Sequence, residues 1–335
     1  MGEIFVVKEL NFVYSSCDKK TKSEFDDYLC NLWEKAMSAG YFWYKLDHIQ
    51  QRCLGGTYNI YAQLNENRFA NRRPPQSATN VVMPFDNEKF NFTKIQPREI
   101  LFELKSEDKV EIEKSDLIII NVSPIDYGHV LLVPDSKSGM PQVINQYGIV
   151  KATQLCLLST DKRFCIGYNS LCALASVNHQ HFHILFVDHV LPISKSKVQC
   201  IGKELFILKD YMVNGLALQL TNQNIDFFVR NIIIITDFFC KNNIAHNLFM
   251  CKSLAFDGSD LLMVTVFLFP KVPLFGEKET RLMNSCCFDL AGYILLKEKE
   301  EFDTMTEEKV LKILNQQTYQ SEQFQVICNK ILLQM

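Results

Sequence analysis

The sequence predicts an α+β fold with a largely antiparallel sheet, and three observations carry that expectation. Short β-type runs recur through the middle of the chain, helical patterns stand between and after them without regular strand-helix alternation, and no Pro/Gly/Ser-rich linker or low-complexity tract interrupts the 335 residues. The pattern partly repeats past residue 200. The chain therefore reads as one compact unit built of two related halves, residues 1–204 and 205–335.

Residues 24–39, EFDDYLCNLWEKAMSA, place apolar side chains at helical spacing and end on Gly40, which suits a helix closed by a C-cap glycine. A strand-like stretch follows, GGTYNIYAQLNENRFANRRPPQ, and runs into a basic, Pro-containing loop. Four strand candidates come next: REILFEL at 98–104, LIIINV at 117–122, HVLLVP at 129–134 and RFCIGY at 163–168. Residues 139–158 hold a helix entered after Pro141. HQHFHILFV is a further strand, whose period of two puts His179, His181 and His183 on one face and Gln180, Phe182, Ile184 and Phe186 on the other. Beyond it come a helix at 224–241, strands at 245–251 and 261–269, and two amphipathic helices in 303–334.

Composition narrows the function classes. A content of 47% hydrophobic and 22% charged residues is that of a packed soluble protein. A net charge of −3 gives no bulk reason to expect nucleic acid or an acidic membrane as partner, so any phosphate binding must be local. The longest apolar runs, LIIIN and NIIIIT, fall far short of the roughly 20 residues of a membrane-spanning helix. The twelve cysteines are scattered without CxxC spacing, and MGEIFVVKELNF has no apolar leader with a cleavage site. Reduced thiols and a cytoplasmic location are expected.

NHQHFHILF at 178–186 holds three of the seven histidines. Three readings of it stand together. Two imidazoles from HxH plus a ligand from elsewhere could hold a metal with one open position. The histidines could instead be core residues bonded to backbone. The third reading is phosphate chemistry, in which a neutral imidazole attacks phosphorus while its neighbours orient it and hold charge on the non-bridging oxygens. Upstream, GYNSLCALASVNHQHFH adds Asn169, Ser176 and Asn178, uncharged donors that suit ribose hydroxyls and phosphate oxygens better than a metal, although each alone could be loop capping. NVSPIDYGHVLLVP brings His129 into an apolar strand after a polar turn.

SVNHQHFHILF resembles the active-site strand of the histidine-triad superfamily, and NVSPIDYGHVLLVP resembles its other signature segment. Within it the chain is similar to the GDP-D-glucose phosphorylase family, related to the galactose-1-phosphate uridylyltransferases and the plant GDP-galactose phosphorylases. AQLNENRFANRRPPQ, FNFTKI, IAHNLF and CFDLAGYILLK stand in the expected order, so the resemblance spans almost the whole chain.

The resemblance implies a uridylyltransferase-like fold with one working half, and phosphorolysis of GDP-glucose by inorganic phosphate to GDP and glucose 1-phosphate. It implies His181 as the nucleophile that becomes guanylylated, His179 as the residue whose carbonyl fixes the tautomer of His181, and His183 as a phosphate contact. His129 would pack behind the triad. Asn121 stands where many relatives keep an aspartate for ribose, and Asn169 and Ser176 match ribose- or phosphate-binding positions. NRRPPQ nominates Arg72 or Arg73, and FNFTKI nominates Lys94, as phosphate-binding cations; on residue type alone each is more often a solvated surface charge. No metal and no cofactor are implied. His183 occupies the position where transferases of the superfamily often carry glutamine and hydrolases histidine, so a nucleotide hydrolase and a non-catalytic nucleotide binder remain the alternatives. His246 reads as a core histidine.

Overall fold

The computed structural model describes residues 2–16, 22–106, 114–276, 283 and 285–335. The N-terminal part supplies β1 (Ile4–Val7), β2 (Ser15–Ser16), α1 (Glu24–Ser38), β3 (Gln50–Cys53), β4 (Tyr61–Leu64) and α2 (Glu66–Ala70). A first unit follows, comprising β5 (Ile100–Ser106), β6 (Asp116–Ile120), β7 (Val130–Val133), α3 (Gln146–Leu158), β8 (Phe164–Asn169) and β9 (Phe182–Phe186). A second unit takes the same order: β10 (Lys197–Gly202), β11 (Leu205–Lys209), β12 (Leu216–Gln219), α4 (Ile225–Lys241), β13 (Ala245–Leu254) and β14 (Leu262–Lys271). The chain closes with α5 (Cys287–Leu290), β15 (Tyr293–Leu296), α6 (Lys299–Thr304), α7 (Glu307–Gln317) and α8 (Ser321–Leu332).

The two units join edge to edge into one sheet, in the order β1-β5-β6-β7-β9-β8-β13-β14-β12-β11-β10, with β2 added to β14. That order is a mirror about the β8–β13 junction, where Asn169 pairs with Asn247 and Cys165 with Cys251 in an antiparallel ladder. The large sheet is antiparallel except for the β1–β5 pair. The second unit begins at Lys197, and residues 203 and 204 form the left-handed turn of the β10–β11 hairpin. A division at 204/205 therefore cuts a hairpin, and the boundary between the halves lies upstream of β10.

Alternation along the strands sorts the core into two layers. One face of the sheet, through Ile118, Leu132, Ile166, Phe182, Ile184, Phe186 and Leu248, packs under α1, α3, α4 and α8. The other, through Cys165, Leu185, Phe249 and Phe267, packs against the small sheet β15-β4-β3 and helices α5 to α7. The active-site candidates stand on this second face. α1 begins in a capping box in which Ser23 and Asp26 satisfy each other's backbone, and it turns off at Ala39 before Gly40 at φ +74°. α3 starts at Gln146 with Asn145 as its cap, five residues after Pro141, and the two expected helices of 303–334 are α7 and α8, with the short α6 just ahead of them.

The HQHFHILFV run is only partly a strand. β9 starts at Phe182, because the backbone of the preceding residues finds partners outside the ladder: Gln180 N donates to Met140 O at 2.9 Å and His181 N to Gln142 Oε1 at 2.9 Å. Only His183 of the three histidines lies within the strand.

Gly167 on β8 shows how closely the C-terminal part seats on this face. A Cβ there would lie 2.5 Å from Cys287 Sγ and about 3.0 Å from the Phe288 ring. Gly167→Ala should therefore cost roughly 1–3 kcal/mol by overpacking, read as a lowered urea midpoint. An unchanged midpoint would mean that α5 is not pressed against β8.

Candidate active site

A cleft opens on the second face of the sheet. It is lined by His181 and His183, by Phe92, Leu131 and Val177 on one side, and by Arg68, Arg72, Ser123, Cys286, Phe288 and Asp289 on another. Asn121, Asn169, Ser176 and Arg73 also reach it. The first wall is apolar, a small cluster of its own with Ile119 and Val133. The second is polar and holds the cations.

Hydrogen-bond donors of fixed identity set the histidine tautomers. His181 Nδ1 stands 2.8 Å from the carbonyl of His179, which can only accept, so Nδ1 carries the proton and Nε2 keeps the lone pair. Phe92 N donates to His179 Nδ1 at 3.1 Å, which places the His179 proton on Nε2. Ile125 N donates to His129 Nδ1 at 2.7 Å, so His129 is also the Nε2–H form. Its Nε2 lies 3.0 Å from His183 Nδ1, which must then accept, leaving His183 with hydrogen on Nε2. Asn121 Nδ2 also lies 3.1 Å from that His129 nitrogen, but both are donors, so the approach is a packing contact and not a hydrogen bond, while Asn121 Oδ1 accepts from Ser123 N. Of His179, His181 and His183, His181 is thus the one whose lone pair is on Nε2, and His183 presents a donor there.

These commitments bear on the metal reading. The lone pairs of His129 Nδ1, His179 Nδ1 and His183 Nδ1 are each directed at a different neighbour. Among the described residues no group of three or more His, Cys, Asp or Glu side chains could hold a metal ion.

Gln142 holds the reactive segment in place. Its Oε1 accepts from His181 N, while its Nε2 donates to Asn169 O at 2.9 Å and to His181 O at 3.2 Å. Phe92 stands edge-on to His181 with ring centroids 5.1 Å apart. Asn169 Oδ1 accepts from Cys287 N at 3.0 Å and from Asn247 Nδ2.

The cations are crowded. Burial, and then the neighbouring Arg68, push Arg72 down from its ordinary value. Arg68 Nη1 donates to Ser123 O, and Arg73 pairs with Glu99 while lying over the ring of Phe90. Burial, and then Cys286, raise Asp289 well above the usual carboxylate range, and Cys286 Sγ donates to Asp289 Oδ2 at 2.7 Å. A polar wall with excess positive charge favours an anion.

The structure brings together most of the residues nominated from sequence and separates two. Lys94 is exposed, and its Nζ donates to Glu88 O away from the cleft, so it is a solvated surface cation. Asn178 has its side chain committed to backbone, donating to Met83 O and Pro84 O and accepting from Gln142 N, so it pins loops together. His246 faces the helical side of the sheet between Tyr168 and Phe239, with Nδ1 on Ile244 O at 3.0 Å. Sequence reasoning missed Arg68, Ser123, Cys286, Phe288 and Asp289. They lie in NENRFANRR, NVSPID and CCFDLAG, segments conspicuous as wholes in which no single residue type marked the site.

Residues 24–185 match the family model described as GDPGP1-like, N-terminal domain, and residues 189–335 match its C-terminal domain. The chain belongs to this family. Among its relatives is GDP-D-glucose phosphorylase 1 of Danio rerio, 35% identical over 94% of each chain. GDP-L-galactose phosphorylase 2 of Arabidopsis thaliana is 30% identical over 88% of this chain and 73% of its own. Among solved structures, yeast Ap4A phosphorylase Apa2 in complex with Ap4A superposes with a TM-score of 0.62 at 14% identity, covering 89% of this chain and 98% of that one. The last likeness is one of fold: mainly antiparallel sheet flanked by helices, as found in this member of the GDPGP1-like family.

Three buried histidines give this family member a pH-dependent stability. Burial lowers His246 to about 4, with His181 as a second cause lowers His179 to about 4, and with Arg68 and His181 as further causes lowers His129 well below its ordinary value. All three stay neutral in the fold while the unfolded chain binds protons below about 6.5. Stability is therefore complete above about 6.5 and is lost as pH falls toward 4, by up to about 1.4 kcal/mol per pH unit for each histidine. Urea unfolding at pH 7 and pH 5 should show this slope, and His246→Leu should remove one proton's share of it; an unaltered slope would contradict the assignment.

Proposed function

We propose that the protein is a nucleotidyltransferase that cleaves GDP-D-glucose with inorganic phosphate, giving GDP and glucose 1-phosphate. The observation that carries the reading is the pair of opposed tautomers: His181 with its lone pair on Nε2, and His183 beside it with an Nε2–H. The name of the Danio rerio relative supports the substrate, and its higher identity than the Arabidopsis GDP-L-galactose enzyme favours glucose as the hexose.

In the first step His181 Nε2 attacks the α-phosphorus, a P–N bond forms, and the bond to the β-phosphate oxygen breaks to release glucose 1-phosphate. The charge that appears on the His181 ring is held by the Nδ1–H donated to the His179 carbonyl. His183 and the Arg68, Arg72 and Arg73 guanidinium groups stand where they can bind the phosphate oxygens in both steps. In the second step a phosphate oxygen attacks the same phosphorus, the P–N bond breaks, and GDP leaves with His181 restored. Asn121, Asn169 and Ser176 are the ribose or phosphate contacts of this reading, and the apolar wall of Phe92, Leu131 and Val177 suits a purine face. No described helix is long and apolar enough to cross a membrane. A cytoplasmic enzyme accords with eleven described cysteines that are all free thiols.

GDP-glucose labelled at the α-phosphate tests the reading. Without phosphate, wild-type protein should release one equivalent of glucose 1-phosphate and retain the label covalently, and adding phosphate should discharge it as GDP. His181→Ala should lose at least about 10⁴-fold in turnover. Continued turnover to GMP without phosphate would make the protein a hydrolase, and binding of GDP-glucose with no adduct would make it a binder.

A further inference from the structure

The second half carries a single histidine, His246, which faces away from the cleft, yet it touches the site at one point. Asn247, fully buried on β13, is the ladder partner of Asn169 and sits on the cleft face of the sheet. Its Nδ2 donates to Asn169 Oδ1 at 2.5 Å and to Ala173 O at 2.9 Å. Both partners fix the chemistry. Ala173 O is a main-chain acceptor, so the group facing it is the Asn247 nitrogen. Cys287 N, a main-chain donor, also points at Asn169 Oδ1, so that atom is oxygen. Two donors from the second half thus hold the Asn169 carboxamide one way round. Its Nδ2, which makes no hydrogen bond among the described residues, is the group left for the cleft that Asn169 shares with His181 and His183.

A second observation sets Asn247 apart from an ordinary buried strand residue. Its Oδ1 is buried with no partner among the described residues, a desolvation loss that an apolar side chain of equal size would avoid. The other bond of its Nδ2 braces the loop from Ser170 to Ser176, in which Cys172 at φ +60° and Leu174 at φ +80° hold left-handed backbone. Leu174 and Ser176 of that loop line the cleft.

We infer that Asn247 is a positioning residue contributed by the degenerate half, which fixes the Asn169 carboxamide so that its NH₂ group donates to an acceptor oxygen of the bound nucleotide. The inference rests on the phosphorolysis reading for the kind of ligand, though the hydrogen-bond geometry does not depend on it. The acceptor is an α-phosphate oxygen or a ribose hydroxyl of a guanosine nucleotide. The repeat would then do more than complete the sheet, since it sets the direction of a donor in the working half.

A double-mutant cycle separates positioning from general stability. The variants are Asn169→Ala, Asn247→Leu and their combination, with Asn247→Asp, which sets acceptor oxygens against Asn169 Oδ1 and Ala173 O, as a second probe of the same size. The readouts are the single-turnover rate of guanylylation by GDP-glucose, per folded protein, and the affinity for GDP. Asn247→Leu should slow guanylylation by about 10²-fold, the usual loss for one misdirected donor. In the Asn169→Ala background it should have little further effect, whereas independent action would multiply to about 10⁴-fold. Multiplication of the losses, or an Asn247→Leu protein that reacts like wild type, would overturn the inference. If wild type forms no guanylyl adduct, the phosphorolysis reading fails, and the same cycle on GDP affinity still decides for or against Asn247.

Discussion

The hydrogen bond from His181 Nδ1 to the carbonyl of His179 is the constraint around which the site is built. That carbonyl serves a side chain two residues on, and the chain up to His181 lies outside the β7–β9 ladder. Gln142 stands in for the absent ladder, serving both the N–H and the C=O of His181. The consequence is chemical. A neutral imidazole whose Nδ1 proton is claimed by the main chain has a nucleophilic Nε2, with no acid needed to arrange it.

The neighbouring histidines take the other tautomer for an equally local reason. Main-chain donors from Phe92 and Ile125 meet His179 and His129 at Nδ1, and His129 passes the pattern on to His183. Four imidazoles within a few ångströms of one another thus carry two different protonation patterns, set by backbone groups. Burial keeps two of them neutral: desolvation lowers His129 well below, and His179 to about 4 from, the ordinary value of a histidine. Positive charge in the cleft comes from arginines, which a substrate phosphate can meet without altering the nucleophile.

Periodicity made the sheet, its order of elements and the face bearing the histidines legible in the sequence, because side chains alternate on any strand that buries one face. It overextended β9, since nothing in HQHFHILFV says that Gln142 will claim the backbone of His181. It put Lys94 and Asn178 among the ligands, because a cation or an amide next to a motif looks the same whether its partner is a phosphate or a loop carbonyl. It passed over Asp289 and Cys286, which arrive from the far end of the chain by way of β15 and the small sheet. Gly167 makes room for their helix, a close approach that shows only once β8 and α5 are in place.

The mirror arrangement of the two units explains why a half with one remote histidine belongs to the site at all: the β8–β13 junction puts its residues in register with the cleft. The chemistry proposed for the cleft stands on the tautomers. Nitrogen-15 NMR of histidine-labelled protein near pH 7, with each ring assigned by single substitution, measures them directly. The prediction is His181 protonated at Nδ1 with its lone pair on Nε2, and His183 protonated at Nε2. A His181 ring carrying its hydrogen on Nε2 would contradict the account, because no lone pair would then face the phosphorus.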